Sequence, residues 1–233
     1  MIKTIKKKSF FIVGMKDQWN YILYAPECLI VVLALCVFAG IRKGKRGCIG
    51  LIVSAISIFA GLLFFYRGKD WLGKTEPFKP VTINTVISPC QGEILNIKEH
   101  GHVTQIIIYL NASNIHVQYA PIDGNIVSIV HKPGEFHPAF MFEKSQYNER
   151  IETVINTKAG HIKVVQIAGQ IARRVVSFHD TGSILKRGDP LGLIKFGSRV
   201  DLWIPSDSID KILVTKGDRV QIGDSLCICH GSL

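Results

Sequence analysis

Two patterns of apolar and polar residues divide the chain. Between residues 28 and 66 the apolar positions run on without a period: Cys28 to Ile41 and Gly47 to Tyr66 hold no charged residue, and Arg42-Lys43-Gly44-Lys45-Arg46 stands between them. A helix rises ~1.5 Å per residue, so the second run is long enough for a hydrocarbon core of about 30 Å. The first is shorter. It crosses with little tilt, in a thinned bilayer or with Tyr21 to Ala25 at the interface, or it lies flat there as half of a hairpin. From Val81 onward, short β-branched runs alternate with turn residues: Val81 to Ile87, Glu93 to Ile97, Val103 to Leu110, Asn125 to Val130, Ile151 to Asn156, His161 to Ile167, Arg173 to Phe178, Gly192 to Phe196, Val200 to Ile204, Lys211 to Val214 and Ser225 to Cys229. Strands so short and so frequent predict a mostly β domain. Helix is expected only over Pro138 to Arg150.

Residues 67–80 mix charge, glycine and proline around Trp71 and read as a linker, with the indole as an interfacial anchor. The predicted organisation is a tail and two-segment membrane hairpin over 1–66, this linker, and a β domain over 81–233. Within that domain Gly182 to Leu191 and Gly217 to Leu226 repeat one spacing of Gly, an aliphatic, Gly-Asp and Leu, and each predicts a hairpin with glycines at the turn. The pair resembles the hammerhead hairpins of lipoyl and biotinyl carrier domains. The expected fold class is therefore mostly β (α+β) with hammerhead-like hairpins, preceded by an α-helical membrane hairpin. Lys195 stands beside a Gly-Ser and not in the Met-Lys-Met context of a carrier, so no carrier role follows.

A net charge of +10 asks for an anionic partner. Nucleic acid is not expected, because no basic helix, paired stacking aromatics or zinc-finger spacing is present. The lysines instead flank the apolar runs, where anionic head groups lie. Lys3, Lys6, Lys7, Lys8 and Lys16, with Arg67, Lys69, Lys74 and Lys79, outnumber the four basic residues of the loop between the runs. Basic flanks stay inside, which anchors the protein in the membrane with its globular domain on the cytoplasmic side. A cleaved signal peptide fits poorly, since the first long apolar run starts only at Cys28 and a second follows. Cys28, Cys36 and Cys48 fall in the membrane portion and Cys90, Cys227 and Cys229 are scattered, so no disulfide frame is expected; Cys227 and Cys229 point the same way from one strand and read as core. No spacing predicts a metal, and His131, His137, His161 and His179 read as surface or packing residues.

The chemistry-bearing stretch is Phe196-Gly197-Ser198-Arg199-Val200-Asp201, two strand-like runs joined by a bare Gly-Ser. A strand glycine marks a bulge or tight bend, or a place where the backbone must be approached closely. The stretch resembles the Gly-Ser processing site of the phosphatidylserine decarboxylases, in their short, membrane-anchored, pyruvoyl-dependent form. Further blocks follow in register: Ser88-Pro89-Cys90-Gln91-Gly92 resembles Ser-Pro-Ala-Asp-Gly, and Asn114-Ile115-His116-Val117-Gln118-Tyr119-Ala120-Pro121-Ile122-Asp123-Gly124 resembles Asp-Val-His-Val-Asn-Arg-Ala-Pro-Val-Asp-Gly. Lys144 with Asn148-Glu149-Arg150, and Val165 to Gly169 with Ala172-Arg173-Arg174, continue the match. Gly231-Ser232 is set aside, because cleavage there frees only two residues.

The resemblance implies a proenzyme that cuts itself between Gly197 and Ser198, giving two chains. The Ser198 hydroxyl attacks the Gly197 carbonyl, the amide becomes an ester, and elimination leaves a pyruvoyl group derived from Ser198 as the cofactor. That ketone takes the amine of a phosphatidylserine substrate as a Schiff base, and phosphatidylethanolamine forms after carbon dioxide leaves. His116 is the candidate for proton transfer, and Arg173 and Arg174 are candidates for a substrate phosphate or carboxylate, one at most because neighbouring strand residues face opposite ways. Two positions depart from the family: Gln91 stands for an aspartate implicated in self-processing and Asn114 for a second acid, and an amide orients but does not titrate. The second reading is an unprocessed, non-enzymatic membrane-anchored β scaffold or binding protein of the same fold. Either reading is compatible with an oligomer.

Overall fold

The computed structural model describes residues 53–57, 60, 61, 64, 67, 82, 84–170, 174–194 and 198–230. The chain divides into two compact units, Met1–Thr75 and Glu76–Leu233. In the first, residues 53–57 are helical. The expected first membrane segment and most of the second lie outside the described residues, and no helix among the described residues is long and apolar enough to cross a membrane.

The second unit is mostly β. Its strands are β1 (Thr85–Ile87), β2 (Gly92–His100), β3 (Val103–Leu110), β4 (Val117–Tyr119), β5 (Gly124–Lys132), β6 (Arg150–Thr157), β7 (Gly160–Ala168), β8 (Val175–Ser177), β9 (Ile184–Leu185), β10 (Pro190–Ile194), β11 (Ser198–Pro205), β12 (Ile209–Ile212), β13 (Arg219–Val220) and β14 (Ser225–Cys229). An eight-stranded antiparallel sheet runs β13-β2-β3-β11-β7-β6-β5-β9, and two three-stranded sheets run β1-β14-β12 and β4-β10-β8.

Strand β11 lies in the middle of the large sheet, and its alternation sets both faces. Val200, Leu202 and Ile204 are wholly buried and pair with Ile108, Ile106 and Thr104 of β3, while Val200 and Leu202 pair on the other side with Gln166 and Val164 of β7. With Ile94, Ile155 and Ile162 these aliphatics form one continuous core, each contributing about 1.5–3 kcal/mol by leaving water. The odd positions face the other way. There Arg199 donates from Nε and Nη2 to the two carboxylate oxygens of Asp201, both at 2.6 Å, Gln105 donates to Asp201 Oδ2 at 2.7 Å, and Arg199 Nη1 reaches Ser145 Oγ at 2.9 Å. Burial pushes the Asp201 carboxyl up while the guanidinium and the Gln105 amide pull it down. A permanently charged guanidinium in two-point contact makes the carboxylate the form that satisfies both partners.

Several expected elements differ. Helix over Pro138 to Arg150 shrinks to α1 (Phe142–Ser145). The Asn148 side chain exchanges hydrogen bonds with the His137 backbone at 2.8 Å, which folds the segment back on itself before β6 starts at Arg150. The strand expected from Val81 is Thr85–Ile87, that over Arg173 to Phe178 is Val175–Ser177, and β4 is an additional strand, a three-residue run with a central glutamine that carries no period.

The two Gly-Asp repeats are not hairpins. β9 pairs with β5 and β13 with β2, while β10 and β14 leave for the two small sheets. Their likeness is instead that of two equivalent clasps. Gly182 N donates to Ile126 O and Ile126 N to Ser183 O; Gly217 N donates to Ile94 O and Ile94 N to Asp218 O. Gly188 N meets Ala120 O as Gly223 N meets Ser88 O, and Ala120 N meets Asp189 O as Ser88 N meets Asp224 O. Ser88-Pro-Cys-Gln-Gly-Glu-Ile94 and Ala120-Pro-Ile-Asp-Gly-Asn-Ile126 thus occupy matching places. A Cβ on Gly92 would lie 2.3 Å from Tyr109 O and one on Gly124 2.4 Å from Asn156 O, so both places demand glycine.

Asp201→Ala leaves Arg199 buried without its carboxylate and is expected to cost about 3–5 kcal/mol. Asp210→Ala, which removes the half-exposed partner of His230, should cost less than about 1 kcal/mol. Urea melts of the two variants check both; equal midpoints would show that the buried fork carries no special weight.

Candidate active site

Three segments converge where β10 ends. Ile194 N donates to His116 O at 3.1 Å, just ahead of β4, and Val175 of β8 pairs with Ile194 on the other side. Residues 195–197 lie outside the described residues, so the Gly197 carbonyl does too. Ser198 then opens β11, paired with Leu110 of β3 and Ala168 of β7. Ser198 is four residue steps on from Ile194, at most about 14 Å of extended chain, which holds His116 and Ser198 in one neighbourhood. The Ser198 hydroxyl is fully buried and has no hydrogen-bond partner among the described residues. Such a group costs about 1–3 kcal/mol.

His116 is buried, and its Nδ1 lies 2.9 Å from Asn114 O. A carbonyl only accepts, so Nδ1 carries the proton and Nε2 is the basic nitrogen. The Asn114 side chain closes the turn after β3 by accepting from Asn111 N at 2.9 Å. Gln91 Oε1 accepts from Ile115 N at 3.2 Å, and its Nε2 donates to Gln221 Oε1 at 3.0 Å. Both departures from the family pattern thus brace the turn that carries His116. Arg174 is exposed and precedes Val175; Arg173 is outside the described residues.

Two residues to which the sequence reading gave no role complete the surroundings. Gln118 Nε2 donates to His116 O at 2.7 Å, and Gln166 Nε2 donates to Gln118 Oε1 at 2.8 Å, all wholly buried. His116 O therefore accepts from both Ile194 and Gln118. The Gln166 amide lies over Gly192, where a Cβ would be 2.7 Å from Nε2 and 2.5 Å from Val176 O. A signal for Gln166 existed: it interrupts the apolar face Ile162, Val164, Gln166, Ala168 of β7, and a polar residue on a core face needs a partner.

The other candidates sit elsewhere. His131 and His137 pair with Glu149 and Glu135, His161 is exposed, and His179 Nε2 lies 2.7 Å from Pro190 O. Cys227 and Cys229 are buried with sulfurs 4.0 Å apart. Burial pushes the Cys90 thiol far up, which disqualifies it as a nucleophile. Among the described residues no group of three or more His, Cys, Asp and Glu converges. A cleft of about 350 Å³ lies at Gly124 and Asn156, and one of about 270 Å³ lies on the Arg199–Asp201 face of β11, opposite the Ser198 side.

The family profile described as phosphatidylserine decarboxylase matches residues 73–228. The chain belongs to this family. It is 36% identical to a phosphatidylserine decarboxylase proenzyme of Streptomyces avermitilis over 78% of this chain and 81% of that one. The same name is carried by a Rickettsia akari protein, 36% identical over 80% of each chain. A putative archaetidylserine decarboxylase proenzyme of Methanosarcina mazei is 41% identical over 60% of this chain and 64% of that one.

Proposed function

We propose that this chain is the proenzyme of a pyruvoyl-dependent phosphatidylserine decarboxylase that cuts itself between Gly197 and Ser198 and forms phosphatidylethanolamine. The observation that carries the reading is the Ser198 hydroxyl, buried at the head of the middle strand and without a hydrogen bond among the described residues. A nucleophile awaiting a carbonyl fits that state, whereas a structural serine in a core is expected to be bonded. Attack by Ser198 Oγ on the Gly197 carbonyl carbon breaks the C–N bond and leaves an ester. Elimination across Cα–Cβ of residue 198 frees the Gly197 carboxylate, and water displaces the nitrogen as ammonia, leaving a ketone. His116 Nε2, set basic by the Asn114 carbonyl, is the group that accepts and returns protons.

The pyruvoyl group supplies an electron sink for the carbon–carbon bond that breaks. Around it the chain's own residues hold His116 in place through Gln118, Gln166 and the Ile194 amide, and His116 delivers the proton that replaces carbon dioxide on the substrate. Arg174, or Arg173, binds the head-group phosphate or carboxylate. The phospholipid substrate fits an anchor formed by the apolar runs within 1–66 and joined through 67–80 to the decarboxylase domain over 81–233, on the cytoplasmic side. One observation favours the scaffold reading: Gln91 commits both ends of its amide to neighbours and offers no titratable group.

Ser198→Ala is expected to abolish chain cleavage and decarboxylation together, while Ser232→Ala changes neither; intact mass under denaturing conditions shows the first and phosphatidylethanolamine release the second. Decarboxylation by the Ser198→Ala chain would exclude the mechanism. Gln91→Asp adds a proton acceptor beside the His116 turn and should speed processing, by up to roughly 10²-fold, followed in pulse-labelled chain. A parent chain that keeps its intact mass until Gln91→Asp is introduced would establish the scaffold reading. For the anchor, the full chain should stay with membranes after carbonate extraction, and its recovery in the soluble fraction would rule the anchor out.

A further inference from the structure

The segment between β5 and β6 is a compact loop with unusual exposure. Phe140 and Tyr147 are 59% and 60% exposed, and Met141 and Phe136 follow at 40% and 37%. The loop is nonetheless built. Glu135 N donates to Tyr147 O at 2.9 Å and Glu149 N to Glu135 O at 3.2 Å, which close its ends, and Ser145 N and Lys144 N both donate to Met141 O. Phe140 leans edge-on against Tyr109 of β3. An ordered loop that turns this much apolar surface outward is a candidate contact surface.

Its place in the fold says which end of the domain meets that partner. Asn148 Nδ2 donates to Ala168 O at 2.8 Å, and Ala168 is the residue paired with Ser198. Arg199, next in the chain, is bonded to Ser145 of the same loop. The aromatic surface is thus fastened to the Ser198 end of β11. The chemistry is interfacial: aromatics, a methionine and an amphipathic tyrosine, with Glu152 held by Lys132 and Arg150, Glu135 and Glu149 bonded to His137 and His131, and exposed Glu143 followed by exposed Lys144. A second copy of the chain is the weaker fit. At about 200 Å² per large side chain the exposed fraction sums to on the order of 400 Å², half of the about 800 Å² per partner that a stable interface buries.

We propose that residues 133–148 form a bilayer-docking loop that seats the Ser198 end of the domain on phospholipid, so that a substrate is taken up without leaving the membrane. The choice of a phospholipid surface rests on the decarboxylase reading.

The test is a photo-crosslinker, benzoylphenylalanine, placed at 140 or 147 in the full-length Ser198→Ala chain bound to vesicles of phosphatidylcholine and phosphatidylserine. Ile184 is the control: it is 83% exposed but lies on β9, which pairs with the Gly124 end of β5, the end away from the loop. Lipid adducts at 140 and 147 and none at 184 are expected. Chain-to-chain dimers, equal lipid adducts at 184, or no adducts at 140 and 147 would each overturn the proposal. In the active chain, combining Phe140→Ser, Met141→Ser and Tyr147→Ser should lower turnover of phosphatidylserine in vesicles about tenfold and leave turnover of a monomeric short-chain phosphatidylserine within about twofold. An equal loss on both substrates would also overturn it. Lipid adducts at 140 in a chain whose parent decarboxylates neither substrate would sink the decarboxylase reading and keep the loop.

Discussion

The structure depends on a strand that is bonded on both sides and must bury both faces. β11 is paired along its length with β3 and over most of it with β7, so its register leaves no freedom for the residue that opens it. One face is satisfied by Val200, Leu202 and Ile204 in the core. The other is satisfied by Arg199 and Asp201 bonding each other, with Gln105 and Ser145 taking up further polar atoms. A buried ion pair contributes little net stability against an apolar pair of the same shape, but it is costly to half-break. Here it resists a slip of the strand, because a one-residue shift would carry both charges into the core. Ser198 inherits that precision: its hydroxyl is fixed on the core side with no partner among the described residues.

A second set of constraints fixes the histidine. The clasps around Ser88–Ile94 and Ala120–Ile126 are alike in their backbone bonds, yet the first carries Gln91 where the second carries Asp123, whose carboxylate accepts from Arg187 N at 2.6 Å. The Gln91 amide reaches across to the His116 turn instead. Buried amides then run from Gln166 through Gln118 to the His116 carbonyl, and that carbonyl also takes the Ile194 amide. Partly bonded buried networks are expensive, and among the described residues this one leaves Gln166 Oε1 without a partner, while Ser198 Oγ has none there either. Ser198 lies opposite Ala168 and Gln166 opposite Val200, so the two atoms come from positions two residues apart on one face of the paired strands β7 and β11.

Much of this was legible beforehand, and particular residues show why. The alternation in Val103–Leu110 and Gly160–Ala168 gave β strands with the right inward faces, because side chains on a strand repeat every two residues whatever the neighbours do. The ordered blocks ending at Phe196-Gly197-Ser198 gave the family. Pro138 to Arg150 was misread as helix because its composition permits one, while hydrogen bonds from Asn148 to His137 and Ala168 decide that it turns back as a loop. The Gly-Asp repeats were misread as hairpins because local turn chemistry reports a reversal and not which strands the two arms then join.

The sequence by itself determined the strand periodicity, the family and the Gly-Ser bond at which cleavage is proposed, since these are carried by residue type and spacing. Tertiary structure alone decided what surrounds them. That Gln166 holds the Gln118 amide which bonds His116, that Gln91 braces the His116 turn, and that an aromatic loop is fastened beside Ser198 all depend on contacts between residues tens of positions apart. Hydrogen bonds and apolar contacts act over a few ångströms, and only the folded pairing of strands brings such residues within that range.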